Sequence, residues 1–373
     1  MFRPHFRLLL LLLNYAGGAV FAAETRPMLQ NPTEWIAQAG SERSFTFESA
    51  TLSMQYGGAE PSAILTRDSF ENFDLSFEFN YHQWAESGLY LHAPWNGAFE
   101  AGIEIELSDH FGEAPDPYYA GAIHGHVPAR VMAVKRHGEW NSCSVHMDWP
   151  KLLVTINGLV VQDLNLAEHP ELRYKLRRGA IGFQNCLGWE MKIRNLELTP
   201  LPSSEATIPL FNGKDLSGWK EVRKNDATWS VEEGVLVAHA GSGYLQHERL
   251  TRDFALQLYY RSGPAANGGV FFRWKGDDSD RGNEIQILDV AGVTMPSGSI
   301  YDKRRSVTHA LTPGEWTLMQ IFVSGKECRT FINGTEAAYT NTLDKVWPGH
   351  ITLQMHNRNT GIRFRDIDLI PAD

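Results

Sequence analysis

The sequence predicts an all-β protein made of two tandem β-sandwiches of the jelly-roll type, and three observations carry that expectation. From Ser44 onward, short apolar–polar alternations are separated by glycine, proline and asparagine, the period-2 pattern of half-buried strands. Helical periodicity is nearly absent outside residues 167–174. The third observation is an internal repeat. Gly102-Ile103-Glu104-Ile105-Glu106-Leu107-Ser108-Asp109 returns 180 residues later as Gly282-Asn283-Glu284-Ile285-Gln286-Ile287-Leu288-Asp289. Isoleucines alternate with carboxylate or carboxamide side chains in both copies, so one face of each strand enters a core and the other is free for chemistry.

In chain order, residues 1–23 read as a signal peptide. Arg3 and Arg7 precede an unbroken leucine run over residues 8–13, and Val20-Phe21-Ala22 offers a cleavage site. The run is too short for a membrane anchor and Asn14 interrupts it, so the mature protein is expected to be exported, periplasmic or extracellular, with no membrane span. Residues 24–43 form an N-terminal segment with one short helix. The first sandwich, 44–199, contains the alternating run Phe73-Asp74-Leu75-Ser76-Phe77-Glu78-Phe79 and a strand over residues 152–156 ahead of an Asn157-Gly158 turn. Residues 200–206 are polar and proline-punctuated, as a linker is, and 207–373 make the second sandwich.

Six segments of the two units correspond in the same order. Asn72-Phe73-Asp74-Leu75 answers Asp253-Phe254-Ala255-Leu256, and Ser87-Gly88-Leu89-Tyr90-Leu91-His92 answers Gly268-Gly269-Val270-Phe271-Phe272-Arg273. Gly121-Ala122-Ile123-His124 matches Gly298-Ser299-Ile300-Tyr301. Gly138-Glu139-Trp140 matches Gly314-Glu315-Trp316, Ile156-Asn157-Gly158 matches Ile332-Asn333-Gly334, and Ile181-Gly182-Phe183-Gln184 matches Ile351-Thr352-Leu353-Gln354. Composition adds limits. A formal charge of −10 argues against a nucleic-acid partner, which wants a basic surface. Cys143, Cys186 and Cys328 are too few and too odd in number for a disulfide framework. A Cys143–Cys186 pair remains an alternative to small buried thiols.

The second unit resembles the 3-keto-disaccharide hydrolase family, whose members include 3-keto-glycoside lyases and 3-keto-glucal hydratases. The resemblance rests on Leu210-Phe211-Asn212-Gly213-Lys214-Asp215-Leu216-Ser217-Gly218-Trp219, on the run ending at Arg273, and on the Glu284 strand. It extends to Leu353-Gln354-Met355-His356 and Phe364-Arg365-Asp366-Ile367. It implies a concanavalin-like sandwich, in agreement with the strand pattern. The first unit resembles the family more loosely. It lacks the Phe-Asn-Gly-Lys opening, and Cys186 stands where the second unit has His356. Glu106 replaces Gln286, His92 replaces Arg273 and His124 replaces Tyr301.

Alternation assigns Val270, Phe272, Ile285, Ile287, Leu353, Met355, Ile362 and Phe364 to the core. The opposite set is Arg273, Glu284, Gln286, Gln354, His356, Arg363 and Arg365, with the aromatics Phe271, Trp274 and Tyr301 nearby. Polar groups for hydroxyls and rings for pyranose faces suit a sugar groove. A lone Glu284 or His356 would be an ordinary solvent-facing residue, and it is their convergence that points to a site. Asp289 has the opposite parity and is expected to cap a turn at its strand end. The first unit offers His92, Glu104, Glu106, His124 and Gln184 for a second groove.

The resemblance implies a reaction on a 3-keto-glycoside: C2 proton abstraction, elimination of the C1 substituent, and hydration of the double bond. Chemistry then asks for a base, an acid and a group on the enolate oxygen. Glu284 and His356 are the candidates for base and acid, and Arg273 for the enolate. Gln286, Gln354, Tyr301, Arg363, Arg365 and Phe271 are candidates for holding the substrate. The one cofactor the residues suggest is a divalent cation, for which two sets are candidates. One is Glu284 with His356, without supporting spacing; the other is His92, Glu104, His124 and His126. Two rival readings stay open. One is a tandem carbohydrate-binding or adhesion module without catalysis. The other is a two-carboxylate glycosidase centred on Glu104 and Glu106, about 6.5–7 Å apart along one strand face.

Overall fold

The structure is a computed structural model, and it describes residues 24–372 apart from 56–61, 187–189, 203–206, 223–225, 240, 277–279, 309–311 and 358–359. Each half of the chain is a sandwich of two antiparallel sheets, and the two halves share one topology. In the first, the outer sheet runs Leu159–Asn165, Lys151–Ile156, Asn141–Asp148, Asn72–Tyr81, Met191–Leu201, Thr51–Met54, Phe45–Glu48. The inner sheet runs Trp35–Ala37, Ser62–Thr66, Ala180–Cys186, Glu86–Ala93, Ile103–Glu106. In the second, the outer sheet runs Thr335–Thr340, Glu327–Ile332, Thr317–Ser324, Phe254–Ser262, Ile362–Pro371, Val235–Ala238, Trp229–Glu232. Its inner sheet runs Trp219–Val222, Gly241–Thr251, Gly349–Asn357, Asn267–Trp274, Asn283–Leu288.

Alternation places the cores. Phe73, Phe77, Phe79, Leu89, Ile103, Ile105 and Phe183 fill the first. Val270, Phe272, Ile285, Ile287, Leu353, Met355, Ile362 and Phe364 fill the second, as their parity requires. The Asn-Gly turns form at both predicted places, with φ of 50° and 78° at Asn157 and Gly158 and 49° and 80° at Asn333 and Gly334. Two left-handed residues in succession match a tight turn to the twist of the strands it joins.

Three expectations change. Residues 24–43 are not separate from the first sandwich. Arg26–Pro27 pairs with Met191–Leu201 and Trp35–Ala37 forms an edge of the inner sheet, strands too short to show a period. Helix is confined to 3₁₀ turns among the described residues, including Pro32–Glu34, capped by Asn31, and Leu172–Tyr174. The linker begins inside a strand, because Pro200 and Leu201 still pair with Phe73 and Asn72. The expected signal peptide lies outside the described residues, and no helix among them is long and apolar enough to cross a membrane. Cys143 and Cys328 are small buried thiols.

The two sandwiches contact each other. Trp95 lies between Tyr259 (4.6 Å) and Trp316 (5.7 Å), with the Arg365 guanidinium 4.4 Å from its ring. Asn96 donates to the Trp316 carbonyl and to Asn333 Oδ1 at 3.1 and 3.0 Å. A Cβ on Gly334 would fall 2.5 Å from the Ala101 nitrogen, so the second unit's hairpin sits directly on the turn that feeds the Ile103–Glu106 strand. A cavity of about 890 Å³ lined by Trp149, Arg173, Tyr174, Gln320 and Arg329 also opens between the units.

Candidate active site

Backbone register orders the second groove into rows across the inner sheet. Glu284 lies opposite Phe271, Phe271 opposite Thr352, and Thr352 opposite Gln246. The next row holds Gln286, Gly269, Gln354 and Tyr244. Paired residues in an antiparallel sheet share a face, so these side chains lie together, away from the core. Tyr244 packs edge to face on Phe271 and Trp274, which are tilted to each other, and the three rings, centroids 5.0–6.0 Å apart, form an aromatic floor. Gly269 leaves room for the carboxylate: a Cβ there would stand 2.6 Å from Glu284 Oε1.

The Glu284 carboxyl is shifted by its surroundings. Burial pushes its carboxyl up to about 7, Arg281 opposes that rise, and Asp302 adds to it. Arg281 donates to the Tyr244 hydroxyl at 3.2 Å, and Gln354 Nε2 donates to the same oxygen at 3.2 Å. Gln286 Nε2 donates to Asn267 Oδ1 at 2.7 Å. Gln246 has both side-chain polar atoms buried without a partner, as are Thr352 Oγ1 and Gln354 Oε1. Orphaned buried polar groups each cost about 1–3 kcal/mol, a cost that ordered water beneath this face would relieve. Tyr301 is 45% exposed at the rim, its amide bonded to the Glu284 carbonyl.

Four candidates fall elsewhere. Arg273 is fully buried. It has φ of 59° and donates to the carbonyls of Arg252, Gly325 and Lys345 and to Asp253 Oδ1 at 2.7 Å. The left-handed residue ends the alternation and turns the side chain into the rim of the core. Arg363 and Arg365 lie on Ile362–Pro371 in the opposite sheet, bonded to Glu232 and Asp366. Parity had sorted face from face, and it says nothing about which sheet a strand joins. His356 is exposed and pairs with Ser242, four residues along and two strands across from Glu284. Strand spacings put them roughly 15 Å apart, so the two share neither a proton nor a metal. Asp289 is an internal tie more than a turn cap, accepting from Tyr260, Ser262 and Ser297.

The first groove follows the same register with other chemistry. Glu104 lies opposite Tyr90 and Glu106 opposite Gly88, and Gln184 donates to the Tyr90 hydroxyl at 2.8 Å. The amides of His124 and Tyr301 bond the carbonyls of Glu104 and Glu284 respectively, so His124 takes the place of Tyr301. Where the second groove continues into Gln246 and Tyr244, the first has Leu65 and Ala63. Ligand atoms of Glu104, Glu106 and His124 lie within 4.8 Å of one another, close enough to hold a cation. His124 Nδ1 bonds Glu106 Oε1. Burial first, and the Glu106 charge second, push Glu104 up to about 8 against the pull of His124. Burial raises Glu106 as well, while the hydrogen bond to Glu106 raises His124. His92 is excluded: it is fully buried, with φ of 54° and both ring nitrogens on the Leu176 and Glu71 carbonyls. His126 turns away to Glu171.

Sequence reasoning missed Arg281, Tyr244, Gln246 and Thr352. Arg281 has the wrong parity for the Glu284 face, but Gly282 at φ of 74° breaks the alternation, and that glycine was the available signal. Tyr244 and Gln246 alternate with the core residue Leu245 and were legible in their own strand. The repeat hid them, because the first unit has no polar counterpart.

Fold and grooves together define a carbohydrate-active β-sandwich protein. The chain belongs to the family described as the 3-keto-alpha-glucoside-1,2-lyase-like domain, whose model matches it twice, over residues 30–199 and 206–370. No curated protein matches it. Among solved structures, a protein of Parabacteroides distasonis provisionally described as a glycosyl hydrolase is 18% identical. That match covers 47% of this chain and 91% of its own, with a TM-score of 0.42. Another structure so described from that organism is 25% identical over 45% and 84% of the two chains, at a TM-score of 0.38. A carbohydrate-binding module of Bacillus subtilis is 9% identical, covering 44% and 95%, at 0.33.

Proposed function

We propose that the chain cleaves 3-keto-glycosides by elimination and hydration, with Glu284 of the second groove as the base. The observation that carries this reading is the state of Glu284, a half-buried carboxylate raised to about 7 opposite Phe271 of an aromatic floor. A base poised near the working pH is what removal of a weakly acidic C–H requires. In the proposed step the C2–H bond breaks and its proton goes to Glu284. The electron pair forms C1=C2 by way of the C3 enolate, and the C1–O bond breaks. Arg281 steadies the enolate oxygen in place of the withdrawn Arg273, and Tyr301 gives a proton to the leaving oxygen. Water then adds across C1=C2, so the net change is hydrolysis and no oxidant is consumed. Gln286 and Gln354, in the row next to Glu284, hold the remaining hydroxyls. The leader-like residues 1–23 support an exported protein acting on sugars outside the cytoplasm.

The test is turnover of a 3-keto-glucoside in D₂O. Wild-type product should carry deuterium at C2, and Glu284→Gln should lower turnover by about 10²–10⁴-fold, the usual contribution of a general base. Turnover without deuterium at C2 would replace elimination by direct displacement. Binding of the keto sugar without turnover would leave a carbohydrate-binding module. An undiminished Glu284→Gln variant would move the chemistry out of this groove.

A further inference from the structure

We infer that the first groove is a divalent-cation site, with Glu104, Glu106 and His124 as its protein ligands, and that the second groove is built to do without one. The case rests on three equivalent positions that differ together. Glu106 stands where the second groove has Gln286, and His124 stands where it has Tyr301. Ala101, two residues before the strand, stands where the second groove has Arg281. The second groove thus sets one carboxylate near a built-in cation, Arg281, which is held by the Tyr244 hydroxyl in the neighbouring row. The first removes that cation and gathers two carboxylates and an imidazole, ligand atoms within 4.8 Å of one another. Other charges acting on Glu104 are the carboxylates Glu100 and Glu86. Carboxylates so close on a partly desolvated face are costly to ionise together unless a counter-charge binds there.

The donor set narrows the ion. One imidazole with two carboxylates suits first-row divalent metals such as Mn²⁺ or Zn²⁺ better than Ca²⁺, which prefers six to eight oxygens. Glu106 has a 4% exposed side chain and the His124 side chain is 44% exposed, so the set reaches from the sheet to the solvent-facing rim. Glu104 completes it from the neighbouring position on the strand, its Oε1 lying where a Cβ on Gly88 would stand only 2.0 Å away. An ion there would replace the direct His124–Glu106 hydrogen bond. Three protein ligands leave coordination positions open for water or sugar oxygens.

Metal binding is read on the protein alone, so its outcome is independent of whether 3-keto sugars are turned over. Dialysed full-length protein is titrated with Mn²⁺ and followed by the EPR signal of the free ion, with Zn²⁺ and Ca²⁺ as competitors. The expected result is one Mn²⁺ per chain, displaced by Zn²⁺ and poorly by Ca²⁺. Glu106→Gln and His124→Tyr place the second groove's own residues in the first and should each weaken Mn²⁺ binding at least tenfold. Glu284→Gln should leave it unchanged. Circular dichroism melts establish that each variant is folded. Absence of binding at millimolar Mn²⁺ and Zn²⁺ to the folded wild type would overturn the inference. So would binding that survives both first-groove substitutions, or that Glu284→Gln abolishes.

Discussion

Glu284 and Glu104 occupy one register position, opposite Phe271 and Tyr90, yet burial acts on them in different company. For Glu284 the opposing group is Arg281, and the carboxyl is raised to about 7. A carboxyl raised on folding favours its protonated form. Its stabilising contribution is therefore complete below the ordinary carboxylate range and is lost as pH rises through about 7. Two measurements should agree on this. The kcat/KM for a 3-keto-glucoside should rise with pH through a single ionisation near 7, because the free base is the active form. In urea melts, Glu284→Gln should gain on the wild type between pH 5 and pH 8. A flat rate profile together with a pH-independent stability difference would show that Glu284 titrates normally and is no tuned base.

At the scale of the strand, Arg273 and His92 end equivalent strands, Asn267–Trp274 and Glu86–Ala93, with φ of 59° and 54°. Each plugs its buried side chain into carbonyls that the sheet leaves unused. The guanidinium serves three carbonyls and the Asp253 carboxylate, so its removal strips donors from four acceptors at once. Breaking a buried ion pair of this kind costs about 3–5 kcal/mol. Arg273→Gln should lower the denaturation midpoint accordingly while leaving turnover per folded molecule unchanged. A normal midpoint with lost turnover would return Arg273 to the chemistry.

At the scale of the whole molecule, the second unit's hairpin and aromatic face support the first unit near its groove. Trp95 is the centre of that contact, tilted against Tyr259, edge-on to Trp316 and under the Arg365 guanidinium. Gly334 seats the hairpin on Ala101, directly ahead of Glu104. Trp95→Ala should cost about 2 kcal/mol, less than the loss of a fully buried aromatic, and should split one thermal transition into two. A single unshifted calorimetric peak would mean that the sandwiches are coupled elsewhere.

What the sequence determined by itself was the repeat, the all-β class, the core faces and the equivalence of Glu104 with Glu284 and Gln184 with Gln354. Each of these follows from alternation or from order along the chain, and both are local properties. The short strands at 26–27 and 35–37 were illegible because two or three residues carry no period. Tertiary structure alone decided which sheet each polar face belongs to, and so moved Arg363 and Arg365 to the far side of the sandwich. It also decided where alternation stops. A positive φ at Arg273, His92 and Gly282 withdrew two candidates into the core and delivered Arg281 to the groove. Parity is carried along a strand by the pleat, and one left-handed residue is enough to break it.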